Sequence, residues 1–191
     1  MTSRAERWRV ALHESAHIVT ARAVNSWNCT ASARVSDTGR GVATMPHGLT
    51  RFADAVASAA GTYGEESPFE APARRRRPPL PPAETADGIR ARAARQCNEE
   101  AAQANFAGAR SDDEAVAAYC ISLHPGDPDE WVAAHARVHD EAKRLTWDLR
   151  DEIKRVAMTL FHRGKVTLKG DPEHDQIFAA GAVASGATMP E

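Results

Sequence analysis

A chain of 191 residues with a formal net charge of -2 has the size of one ordinary domain, with room for a flexible segment, and no overall basic field to draw it onto nucleic acid or anionic membrane. Hydrophobic residues make up 42% and aromatics only 6%, with alanine prominent among the apolar residues, a balance that favours packed helices over a sheet sandwich. No run approaches the roughly 18 apolar residues of a membrane span, the opening MTSRAERWRV has charges where a signal peptide needs its apolar stretch, and Cys29, Cys97 and Cys120 form no CxxC pair, so neither a disulfide framework nor a thiolate zinc site is expected and a reducing cytoplasm is the expected compartment.

From Ala5 to Val24 the composition is strongly helical, and Trp8, Leu12, Val19 and Ala23 recur at helical spacing, which predicts one amphipathic helix. Between Cys29 and Met45, Thr30, Ser32, Val35, Val42 and Thr44 flank the turn cluster Asp37-Thr38-Gly39-Arg40-Gly41, the pattern of a short hairpin. Thr50 is placed to cap a second helix, with Phe52, Val56, Ala59, Ala60 and Tyr63 on one apolar face. Residues 67–83 differ in kind: repeated prolines remove backbone donors and four consecutive arginines repel one another, so an exposed loop or linker is expected. The run from Arg74 to Pro81 also holds an RxxPxxP pattern, which makes residues 72–82 a candidate docking segment for a protein partner.

Helical composition returns from Glu84 to about Ala107, and a further helix is expected from Ser111 to Leu123, where Ser111 and Glu114 have capping-box spacing. Asp127-Pro128-Asp129-Glu130 starts another, and Trp131, Val138, Ala142, Leu145, Leu149, Val156 and Leu160 carry its stripe as far as Gly164, a C-terminal stop. An unbroken helix of that length would run roughly 50 Å at 1.5 Å per residue, so a bend or break is expected within it. Asp171-Pro172 begins a last short helix through Ile177 and Phe178. The expected fold is mainly α, with a small, short-stranded β element after the first helix. Residues 1–66 form its N-terminal part and 84–191 its C-terminal part.

The chemistry is concentrated in His13-Glu14-Ser15-Ala16-His17, an HExxH motif. Residues four apart share one face of a helix, so both imidazoles can point at one ion while Glu14 sits beside it. In this arrangement two neutral imidazoles and a third protein ligand bind Zn²⁺, an open position holds water, and Glu14 is the general base.

The residues Val10 to His17 resemble the opening helix of the FtsH-type zinc metallopeptidases, where an apolar lead runs into His-Glu-Ala-Gly-His. Ala60-Gly61-Thr62-Tyr63-Gly64-Glu65-Glu66 is similar to the family's Gly-Gly-Arg-Ala-Ala-Glu-Glu helix, and the run from Gly108 to Ala117 resembles its Gly-Ala-Ser-Asn-Asp segment. Ala157 to Lys165 is similar to the family's closing helix. The resemblance implies a helical peptidase domain that hydrolyses peptide bonds of a polypeptide substrate, with an aspartate as third zinc ligand. Counting from Gly108 selects Asp112; counting from Ser111, or back from Ala117, selects Asp113, the preferred choice, although first-turn acids are also stabilised by the helix dipole with no metal present. Ala16 departs from the family's glycine, and residues 67–83 are an insertion before the third block.

The family's ATPase has no counterpart here, since the chain contains no GxxxxGK(S/T) loop, so cleavage would be ATP-independent and the family's six-membered ring is not carried over. A substrate strand is expected to lie along an edge strand near Val42 to Met45. A different class of reading is a non-catalytic protein that keeps the fold and the metal and binds a partner through its Arg/Pro segment; a DNA-directed regulator is disfavoured because no basic recognition helix is evident. His135 and His139 are four apart but lack a glutamate at the HExxH position, so a solvated helix face is expected there, while His47 and His124 lie near element ends within possible reach of the first site.

Overall fold

The computed structural model describes residues 3–27, 29–65, 85–93 and 112–169. Ser3 opens the first helix, α1 (Arg4–Val24), with a full capping box: its hydroxyl accepts from the Glu6 amide at 3.1 Å while the Glu6 carboxylate accepts from the Ser3 amide at 3.4 Å. From Ala11 to Arg22 nearly every residue is buried, so α1 is a central helix rather than a surface one. Its end is held by an unusual turn in which Ser26 and Trp27 both take positive φ. Buried Arg22 fixes this turn, donating to the carbonyls of Trp27 at 3.0 Å and Lys169 at 2.8 Å.

The expected hairpin forms β1 (Ala31–Val35) and β2 (Gly41–Thr44), antiparallel with Ser32 opposite Thr44 and Val35 opposite Gly41. Gly39 at φ 75° closes its turn, donating to the Ser36 carbonyl at 3.0 Å. A third strand, β3 (Lys165–Leu168), comes from the other end of the described chain and pairs antiparallel with β1, giving the order β2-β1-β3. No strand is expected there from the sequence alone. Ala31, Ala33 and Val35 turn the inner face of this sheet onto α1.

Thr50 caps α2 (Arg51–Glu65) as expected, accepting from the Ala53 amide at 3.2 Å, and Val56, Ala59, Ala60 and Tyr63 are buried, while Phe52 stays 41% exposed. A helical segment, α3 (86–93), follows, with Thr85 accepting from the Gly88 amide at 3.1 Å. Next come α4 (Asp112–Leu123), α5 (Pro128–Asp148) and α6 (Arg150–Arg163). Asp127 caps α5 through the Glu130 amide at 3.2 Å, with Pro128 at the first helical position. The break expected in the long helix falls at Leu149, between α5 and α6, and Gly164 at φ 70° ends α6 in a left-handed cap that leads directly into β3. Expectations for the rest of the 84–107 helix, for Ser111, for residues 67–83, for Cys97 and for the last helix lie outside the described residues.

Two apolar cores result. One joins α1, the sheet and α6 around Ile18, Val35, Ile153 and Leu160; the other joins α2, α3, α4 and α5 around Val56, Ile89, Val116 and Val138. Residues before 66 and after 84 contribute to both, so the two parts of the chain interleave. Among the described residues no helix is long and apolar enough to cross a membrane.

Candidate metal centre

Where α1 passes between the two cores, it carries His13 and His17 on one face. The helix of the second core that begins with Asp112 brings that residue to the same place. Its Oδ2 lies 3.0 Å from His13 Nε2 and 3.2 Å from His17 Nε2, and the two Nε2 atoms are 2.9 Å apart. These three separations approach the roughly 3.3 Å edge of a tetrahedron built with bonds of about 2.05 Å, the dimensions of a zinc site. Among the described residues this is the one group of three His, Cys, Asp or Glu side chains close enough to share an ion.

The surroundings fix the two rings in place. His17, 4% exposed, donates from Nδ1 to the Ala57 carbonyl at 2.8 Å, which fixes the tautomer and leaves the Nε2 lone pair free to bind. Glu65 Oε1 lies 2.7 Å from His13 Nδ1, and its other oxygen accepts from Arg9 at 2.9 Å. Ala57 and Glu65 both belong to α2, which approaches α1 very closely. A side chain at Gly61 would meet the His17 ring at 2.5 Å and the His13 ring at 2.7 Å, and one at Gly64 would meet Ala16 at 2.6 Å, so both positions are restricted to glycine by contact.

Electrostatics divide the site into two kinds of carboxylate. Burial acts to raise Asp112, but hydrogen bonds and charge from His13 and His17 prevail and hold it well below the usual carboxylate range. Burial alone would lower His13, yet the Asp112 and Glu65 carboxylates raise it to about 10. With no metal, one proton on His13 thus does what an ion would do, joining the imidazoles to Asp112. Glu14 moves the opposite way: it is 7% exposed, and burial raises it against the pull of His17 and His13. Its side chain packs against Gly41, the first residue of β2, where a Cβ would overlap it.

Of the residues singled out from sequence, His13, Glu14 and His17 are together here. Asp113, the preferred aspartate, is exposed and outside the group, whereas its neighbour Asp112 joins it. One step along a helix rotates a side chain by about 100°, so only one of two adjacent residues can face α1. His47 is exposed in the turn before α2, and His124 lies 3.8 Å from Glu130; neither joins the group. The expectation of a solvated face at His135 and His139 is corrected: both are buried because α5 packs on α2, and His139 Nδ1 is hydrogen-bonded to the Tyr63 hydroxyl at 2.9 Å. Ala57, Gly61, Glu65 and Gly41 also shape the site, and the sequence motif does not single them out. The signal for three of them is the spacing of Ala57, Gly61 and Glu65, every fourth residue on one face of α2. Comparison with protein-family models, with curated proteins and with solved structures gives no match for this chain.

Proposed function

We propose that the protein is a zinc-dependent metallopeptidase of the FtsH type without its ATPase, in which His13, His17 and Asp112 hold the metal and Glu14 is the general base. The observation that carries this reading is the convergence of three ligand atoms at 2.9–3.2 Å beside a buried glutamate that makes no part of the ligand group. A structural cluster would have no use for that glutamate, since burying a carboxylate without need costs stability. A zinc ion held by His13, His17 and Asp112 would supply Lewis-acid chemistry, acidifying a water and polarising the scissile carbonyl.

The chain's own residues supply the rest. Glu14, raised by burial, takes the proton released as water oxygen bonds to the carbonyl carbon, and returns it to the amine as the C–N bond breaks. Among the described residues strand β2 has a partner on one side only, and its first residue lies against Glu14, so an extended peptide added to its free edge would run past the site. The polypeptide substrate and the cytoplasmic setting expected from the cysteine pattern belong to this reading.

The test is Glu14→Gln beside the native chain, assayed for bound zinc and for cleavage of an unfolded protein substrate. The substitution keeps the shape and removes the base; we expect zinc content unchanged and turnover reduced by about 10² or more. Full activity in that variant, or no zinc in folded native protein, would overturn the reading and leave a non-catalytic, partner-binding protein in its place.

A further inference from the structure

The rings of His13 and His17 are flanked by two unlike walls. At about 100° of rotation per residue, Arg9, His13, His17, Val10 and Glu14 follow one another in that order around α1, so Arg9 and Glu14 stand on opposite sides of the two ligands. Val10 and Glu14 lie against Gly41 of β2, whereas Arg9 donates from Nη2 to Glu65 of α2 at 2.9 Å. An extended chain on the outer edge of β2 would therefore have the metal ligands beneath it and the Arg9 guanidinium across from it.

Arg9 is not used up by its own ion pair. A guanidinium carries five N–H donors in a planar fork, and among the described residues only Nη2 of Arg9 has a partner. The side chain is 65% exposed, yet it is held in place, because the other oxygen of Glu65 lies 2.7 Å from His13 Nδ1. One carboxylate thus ties the guanidinium to a ligand ring and leaves most of the fork open. The other charged groups around the ligands, Glu14, Glu65 and Asp112, are acidic, and Arg9 is the one lysine or arginine paired with any of them among the described residues. It is the charge to alter in a test.

We propose that Arg9 is a specificity residue, binding the side-chain carboxylate of an aspartate or glutamate that the substrate carries within about two residues of the bond held at the metal ligands. The spacing follows from the single carboxylate that separates the guanidinium from His13, set against an advance of roughly 3.3 Å per residue of extended chain. An arginine fork binds the two oxygens of a carboxylate more strongly than it binds a neutral amide, so acidic segments are favoured over their amide counterparts. The cleavage preference rests on the peptidase reading; the binding preference does not.

The probes are two fluorescent peptides, free of proline and identical except for Glu in one and Gln in the other. They are titrated at low salt into the zinc-supplemented full chain carrying Glu14→Gln, so that binding is read without turnover. The Glu peptide should bind about tenfold or more tightly than the Gln peptide. Adding Arg9→Gln should bring that ratio close to one, Arg9→Lys should keep part of it, and Arg9→Glu should invert it. Because both peptides are read on the same protein, any loss of zinc or of folded material cancels in the ratio. No saturable binding of either peptide, a ratio near one before Arg9 is altered, or a ratio that Arg9→Gln leaves unchanged overturns the proposal. The native chain, incubated with an unfolded protein and its cleaved bonds mapped by mass spectrometry, should show Asp and Glu enriched beside the cuts; cleavage without that enrichment also overturns it. A preserved binding ratio with no cleavage at all leaves the role of Arg9 standing and overturns the peptidase reading instead.

Discussion

The hydrogen bond from His17 Nδ1 to the Ala57 carbonyl settles which nitrogen of that ring can act as a ligand, and the phase of α4 settles which aspartate meets it. Zinc analysis of Asp112→Ala and Asp113→Ala should therefore separate the two: the first loses the metal, while the second keeps about one ion per chain. The same residues make the metal-free protein sensitive to alkali. Folding raises His13 from 6.5 to about 10, so its proton contributes stability that is complete below pH 6.5 and is lost as pH rises towards 10. In excess chelator, Tm of the native chain should fall across that interval, and His13→Gln should remove this component of the slope. Zinc binding should strengthen over the same interval, because fewer protons remain to be displaced.

At the scale of elements, what could be read from sequence followed from local rules. Thr50, Asp127-Pro128 and Gly164 mark helix ends through their own side chains or backbone preferences, so α2, α5 and the end of α6 were legible. The Asp37–Gly41 cluster gave the hairpin for the same reason. By contrast β3 is four residues long and borrows its stability from β1, more than a hundred residues earlier, so nothing within Lys165–Leu168 announces it. The site was legible to the extent that it obeys the HExxH spacing. Choosing Asp112 over Asp113 needed the packing of α4, and the contacts of Gly61 and Glu65 needed the approach of α2 to α1. One element carries a test of its own. Proline at Ala43, whose amide lies on the free edge of β2 because its neighbours Val42 and Thr44 bond to β1, should lower peptide cleavage much more than zinc retention; equal loss of both would show that the sheet itself had failed.

For the whole molecule, the arrangement of the chain matters more than any single strand or helix. Residues before 66 and after 84 share both cores, α6 packing beside α1 and α5 beside α2, so the two parts are halves of one folding unit.

The position of Asp112 has a mechanical consequence. It stands 99 residues from His13 and belongs to the second core, whereas both histidines belong to the helix at the centre of the first. An ion held by all three is then a removable rivet, closing a loop of about half the chain and tying one core to the other. Without the rivet the cores stay joined where α1 lies against α2 and where α5 runs into α6, so the ion reinforces a junction that already exists. Calorimetry should show a single transition at a higher Tm with zinc than in chelator. The metal would thus set how firmly distant parts of the chain are tied together.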